Sequence, residues 1–155
     1  MAVVDLLEFP VLLPPRTPLV GLDLGEKTIG VAVSDVTRMV ATPLELIRKS
    51  KFTDDARTLF ELMESRGAAG MVIGLPVNMD GTEGPRCQSS RAFGRNILRL
   101  KDLPIAFWDE RMSSMAVNRM LIDEADMNRA RRAEVVDKAA AGWILQGALD
   151  RLRNG

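Results

Sequence analysis

The residues with the strongest chemical signal are acidic. Asp23 lies inside an apolar run, LVGLDLG, between Leu22 and Leu24. An isolated ionised carboxylate buried in such a strand is costly. A structural hydrogen bond, a partly exposed strand end or a cation would each relieve that cost. Glycines at 21, 25 and 30 leave room for a phosphate or a metal beside the backbone. Asp109 and Glu110 end a second apolar run, LPIAFWDE, directly before Arg111. Strand alternation sends these two carboxylates to opposite faces, so at most one of them readily joins Asp23, and both stand as candidates. Asp137 opens a helical stretch in which Ala140, Ala141, Ile144 and Ala148 follow at i+3, i+4, i+7 and i+11. It thus heads a stripe of small apolar residues that should press on a neighbouring layer, although an acid near a helix N-terminus is also favoured by the macrodipole.

If these positions meet, carboxylates ~4 Å apart repel by roughly 4 kcal/mol per pair at an effective dielectric of 20. Protons or cations must neutralise such a cluster. All-oxygen ligation selects Mg²⁺ or Mn²⁺, and two ions ~3.5–4 Å apart can activate water and stabilise a leaving oxygen in phosphodiester cleavage.

Composition narrows the alternatives. The 155-residue chain has 21 Lys+Arg, 21 Asp+Glu and no His, so Ser-His-Asp and Cys-His catalysis and His-containing zinc sites are excluded. Cys87 is the single cysteine, which excludes an intrachain disulfide and a cysteine cluster. Hydrophobic residues at 46% and charged residues at 27% fit a globular protein. The neutral balance does not announce a nucleic-acid binder, but it can hide a local basic patch. The start lacks the basic region of a signal peptide, and no apolar run approaches the ~20 residues that span a bilayer, so the chain reads as cytoplasmic.

The elements that must position the acids follow from periodicity. Residues 1–18 contain Pro10, Pro14, Pro15 and Pro18, a poor substrate for helix or central strand. They read as a proline-rich extension along the surface, with Leu12 and Leu13 as anchors, leaving 19–155 as one domain. LVGLDLG and TIGVAVSD are joined by a tight turn. In the second run, Ile29, Val31 and Val33 alternate with Gly30, Ala32 and Ser34, a strand period whose small face admits a close neighbour. TPLELIRK should complete an antiparallel meander. Thr53 is the expected N-cap of a helix carrying Ala56, Leu59, Phe60 and Met63 inward and ending at Gly67. GMVIGLP reads as a buried strand followed by a turn-rich loop. A helix with Phe93, Ile97 and Leu100 inward leads to LPIAFWDE. Ser113 or Ser114 should cap a helix with Val117, Met120 and Leu121 inward, and Val136, Ala140, Trp143 and Ile144 should share a face of the last helix. Three strands followed by strand–helix alternation predict an α/β fold, a mixed sheet flanked by helices.

Four segments in order, GLDLGEKTIGVAVSD, GLPVNMDGTEGP, WDERMSS and VDKAAAGWILQGALD, resemble the YqgF family of pre-16S rRNA nucleases, also described as Holliday-junction-resolvase-like. The resemblance runs from about Val20 to Leu152. It implies an RNase H-like fold with a mixed five-stranded sheet and metal-dependent phosphodiester hydrolysis at the 5′ end of precursor 16S rRNA. The family's first-strand aspartate falls on Asp23, its D-E-R motif on Asp109, Glu110 and Arg111 with the glutamate the favoured metal ligand, and its late aspartate on Asp137. Two positions depart from the pattern: Thr28 stands where a basic residue is common, and Ser113–Ser114 replace a threonine-rich pair. Neither removes a carboxylate.

Around the acids, Lys27 and Arg111 are candidate phosphate contacts, the latter through its planar fork unless it merely pairs with a neighbouring acid. Arg91, Arg95 and Arg99, spaced by four, form a basic ridge that suits either an anionic partner or solvent. Arg129, Arg131 and Arg132 make a second basic cluster. Asn78 and Asp80–Gly81 lie in a loop after a strand, where substrate contacts often arise, and Asp80–Gly81 also suits a turn. Cys87 reads as packing. The leading reading is a nuclease with two Mg²⁺ or Mn²⁺ ions on Asp23, Glu110 or Asp109, and Asp137. Its partner is precursor rRNA or branched DNA, with ribosomal particles a further partner and no membrane. The alternatives are a phosphotransferase, since DLGEKT resembles the phosphate loop of actin-like kinases, and a non-catalytic nucleic-acid-binding module of ribosome assembly or transcription.

Overall fold

The computed structural model describes the backbone of residues 3–112 and 129–154, and the side chains of 3–112 and 139–154. Five strands form one sheet: β1 (Leu19–Leu24), β2 (Thr28–Ser34), β3 (Ala41–Arg48), β4 (Gly70–Leu75) and β5 (Ile105–Asp109). Their order is β3-β2-β1-β4-β5. The first three form the antiparallel meander, while β4 pairs parallel to β1 and β5 parallel to β4. The expected mixed five-stranded sheet is therefore present, with its parallel strands entered through α2 (Phe52–Arg66) and α3 (Pro85–Leu100). A short α1 (Phe9–Leu12) precedes the sheet and a long α4 (Arg129–Asn154) closes the chain. The segment where Ser113 or Ser114 was expected to cap a helix with Val117, Met120 and Leu121 lies outside the described residues.

Strand alternation sorts the core into two layers. Val20, Leu22, Ile29, Val31, Met71 and Ile73 face α2 and α3, where Leu59, Met63 and Ile97 are buried. Leu19, Ala32, Val72 and Ala106 face α4 and the N-terminal segment. The small residues of β1 and β2 serve this second layer. A Cβ on Gly21 would stand 2.6 Å from Leu145 Cβ and 3.2 Å from the Ala141 carbonyl oxygen, so only glycine lets α4 seat so close to β1. The buried face of α4 is built by Ala141, Ile144, Leu145, Ala148 and Leu149. It is centred beside the stripe anticipated from Trp143, which is half-buried.

Several local expectations are revised. The proline-rich start is not irregular throughout: Asp5 caps a 3-10 turn over Leu6–Glu8, which runs into α1 with Pro10 in the first turn. There the missing amide hydrogen costs nothing. Phe9 is fully buried and Leu13 nearly so, whereas Leu12 is 40% exposed and does not anchor. Val4 N–H donates to the Ile105 carbonyl oxygen (2.9 Å), so this segment also covers the start of edge strand β5. Helix α2 begins one residue before Thr53, with Lys51 at the cap and no side-chain capping bond. Buried Asp55 instead accepts from the Ser50 N–H and hydroxyl (both 3.1 Å), fastening the entry to the helix. Gly67 ends α2 at φ 68°, as its position predicted. In α3 the inward stripe is Cys87, Ser90, Gly94 and Ile97. Leu100, placed inward from sequence, is 52% exposed, because the close approach of Gly94 to Phe107 sets the rotation of the helix.

Candidate active site

The parallel register aligns the C-terminal ends of β1, β4 and β5. Leu22 pairs with Ile73, and Ile73 with Phe107, so Asp23, Gly74 and Trp108 follow in one row. Side-chain direction is then fixed by parity. Asp23 lies two residues after Gly21 and points to the α4 face, as does Trp108, whose ring packs on Gly147. Phe107 points the other way, against Gly94. Asp109 continues the Phe107 parity, and Glu110, the first residue of a 3-10 turn over Glu110–Met112, continues that of Trp108.

The two acids of the D-E-R motif have different surroundings. Asp109 is consumed by Arg111: the guanidinium Nε (3.0 Å) and Nη2 (2.7 Å) donate to Asp109 Oδ2, and Arg111 N–H donates to Oδ1 (2.9 Å). These bonds hold its carboxyl below the usual carboxylate range. Glu110 turns towards Asp23. With β4 between them, β1 and β5 are ~10 Å apart, a gap the long glutamate side chain narrows by lying over Gly74. A Cβ on Gly74 would be 3.2 Å from Glu110 Cγ. Asp23 is buried, 8% exposed. Burial first, and the Asp23 charge second, push the Glu110 carboxyl up to about 7, with Arg86 opposing the rise. A half-buried acid near a like charge is in a state that a cation or a proton relieves.

Both oxygen-donor side chains suit a hard divalent cation. Among the described residues no group of three or more potential metal ligands closes on one point. Asp137 lies in α4, four residues before buried Ala141. Its side chain, like those of Arg129, Arg131 and Arg132, lies outside the described residues.

The remaining candidates divide by their partners. Lys27 is exposed in the turn that directly follows β1, where its carbonyl accepts from Lys49 N–H (2.9 Å). Asn78 Nδ2 donates to Thr82 Oγ1 (3.0 Å), and the Thr82 hydroxyl donates to Asp80 Oδ1 (2.6 Å), so Asn78 and Asp80 shape the loop after β4. Gly81 has φ 89° there, as a turn requires. Arg111 Nη1 reaches the Met79 carbonyl oxygen (3.4 Å), tying this loop to the end of β5. The arginine ridge is not uniform. Arg91 forms a two-pronged pair with Glu83 (2.7 Å for each bond) and lies 5.1 Å from the Phe107 ring centroid, whereas Arg95 and Arg99 are exposed. Cys87 is fully buried. Two further residues, Gly74 in β4 and Arg86 at the start of α3, lie beside the acids. Gly74 could have been found by counting parity along GMVIGLP, whereas nothing in the sequence singles out Arg86.

A mixed 3-2-1-4-5 sheet with acids at the ends of β1 and β5 is the RNase H-like architecture of RuvC-type resolvases. Thermus thermophilus RuvC in complex with a Holliday junction substrate superposes with a TM-score of 0.55 at 13% identity, covering 88% of this chain and 96% of that one. A second structure of Thermus thermophilus RuvC gives 0.53 at 10% identity, covering 89% and 97%. These likenesses establish the fold. The chain belongs to the RuvX family, described as Holliday junction resolvase, which matches residues 17–151. Among similar proteins, one from Phenylobacterium zucineum is 81% identical over 155 residues, covering 99% of both chains. One from Caulobacter vibrioides is 70% identical over 154 residues with the same coverage, and one from Rhodospirillum rubrum is 61% identical, covering 98% of this chain and 94% of that one. Each of the three bears the name "Putative pre-16S rRNA nuclease".

Proposed function

We propose that this protein is a divalent-metal-dependent nuclease that hydrolyses phosphodiester bonds in precursor 16S rRNA at its 5′ end, acting in the cytoplasm on ribosomal precursor particles. The observation that carries the reading is that Glu110 lies over Gly74 on the α4 face, the face to which Asp23 also points, near enough for the Asp23 charge to raise its pKa. Asp23, Glu110 and Asp137 would hold the metal, with Asp137 supplied by the helix packed over that face. Bound there, Mg²⁺ or Mn²⁺ would lower the pKa of a water and offset charge on the leaving oxygen.

The chain's own residues do the rest. Burial of Asp23 keeps bulk water from its carboxylate and would strengthen its interaction with a cation placed there. Asp109 has a positioning role, holding Arg111 and through it the loop at Met79. Lys27 and Arg95, exposed and cationic, are assigned to phosphates of the substrate strand, and Asn78 to ordering the loop beside it. Arg91, engaged by Glu83, contributes less to binding than its place in the ridge suggested.

The test is incubation of purified protein with precursor 16S rRNA and with a four-way DNA junction, in Mg²⁺, Mn²⁺ or chelator, beside Asp23→Asn. Cleavage of the RNA to 5′-phosphate ends, lost in chelator and in Asp23→Asn, is expected. Full activity in Asp23→Asn would overturn the assignment. The family description favours a second reading, resolution of branched DNA, which the junction arm of the same experiment reports.

A further inference from the structure

Of the arginines on α3 and directly after β5, two near the acids are committed. Arg111 is held by Asp109 and Arg91 by Glu83. Arg86, in the first turn of α3, forms no ion pair among the described residues. Its Nη2 stands 3.5 Å from the Leu24 carbonyl oxygen, across the end of β1 and one residue from Asp23. It is exposed, so its guanidinium can meet a ligand without prior loss of a partner. Its exposed guanidinium keeps donors free beyond the one carbonyl contact, and the planar fork is suited to phosphate oxygens.

We propose that Arg86 is a phosphate-binding residue of the nucleic-acid site, its guanidinium contacting a phosphate of the strand that lies across Asp23 and Glu110. This assignment rests on reading that acidic pair as the nuclease centre. The electrostatics agree with the placement: Arg86 is the cation that opposes the rise of the Glu110 carboxyl, so its charge reaches that side chain. A phosphate there would meet positive charge on the side away from the acids.

Binding and turnover separate the possibilities. Affinity for a fluorescein-labelled RNA spanning the precursor's 5′ cleavage region is measured over a range of salt in the Asp23→Asn background, with and without Arg86→Gln. Cleavage is measured in the otherwise wild-type protein carrying Arg86→Gln, Arg86→Lys or, as a surface control on α2, Arg57→Gln. Arg86→Gln is expected to lower kcat/KM by roughly 10- to 100-fold, the effect of a hydrogen bond to a charged group. Its plot of log affinity against log salt should flatten by about 0.7, one phosphate contact on a single strand. Arg86→Lys should restore the salt slope and only part of the rate, and melting temperatures should be unchanged. Wild-type values of both slope and kcat/KM in Arg86→Gln would overturn the proposal while leaving the nuclease reading intact. If the wild-type protein cleaves neither RNA nor branched DNA, the nuclease reading fails, and Arg86 stands or falls on the salt slope alone.

Discussion

Asp35 and Glu110 both follow the end of a strand, and their surroundings drive them in opposite directions. Asp35 closes the turn between β2 and β3. Its carboxylate accepts from the Thr37 hydroxyl, from Met39 N–H (2.8 Å) and from Val40 N–H (3.1 Å), and these donors lower its pKa to about 2. Glu110 is turned into the fold against another acid, and its pKa rises to about 7. The first carboxylate is satisfied by local donors and stabilises a turn. The second is left in conflict, which a protein keeps where chemistry uses it. Asp109 lies between these extremes, adjacent in sequence to Glu110 yet neutralised by Arg111.

The largest expected effect breaks the contrast at its acidic end. Glu110→Gln should reduce cleavage by about a thousandfold or more, as loss of a transition-state electrostatic partner does. Asp109→Asn should cost about tenfold or less through a looser Arg111 and loop, and single-turnover rates of the two variants side by side decide which acid is catalytic.

A second effect is on stability in metal-free protein. Folded Glu110 keeps its proton to about pH 7, whereas the unfolded carboxyl releases it near 4.5. The folded state thus binds more protons between those values, and stability falls as pH rises through that window, by up to about 3 kcal/mol. Asp23→Asn removes the like charge and should flatten the fall, raising the melting temperature above pH 7 relative to wild type. Denaturation midpoints from pH 4 to 8 in chelator measure this.

The smallest effect concerns Asp35, where the sign reverses. Its contribution is present above the unfolded value of 3.8 and lost as pH falls towards about 2. Because the residue is exposed, Asp35→Ala should cost roughly 1 kcal/mol at neutral pH. The difference from wild type should vanish in acid, while cleavage remains unchanged.

Much of this was legible in the sequence, for definite reasons. The strand period in LVGLDLG and TIGVAVSD and the helix stop at Gly67 are local signals, and the structure keeps them. The cost of an acid between Leu22 and Leu24 pointed to Asp23, which is indeed buried. Parity showed that Asp109 and Glu110 must diverge, but telling which one shares a face with Asp23 needed the strand register. The roles of Leu12 and Leu100 were misread because their burial depends on how Phe9 and Gly94 seat against other layers. Arg86 left no trace in the sequence because its meaning comes from the end of β1, 62 residues away.

At position 74, a single hydrogen atom stands where any other residue would put carbon. That carbon would strike Ile144 Cδ1 at 2.5 Å and crowd Glu110 Cγ at 3.2 Å. Ile144 belongs to the helix that also carries Asp137. The wall against which that helix rests and the shelf on which the acid lies are one and the same, so substitutions that reseat the helix here also reset the acid's reach. Evolutionary drift in the interior and drift in the chemistry are geared together at this residue.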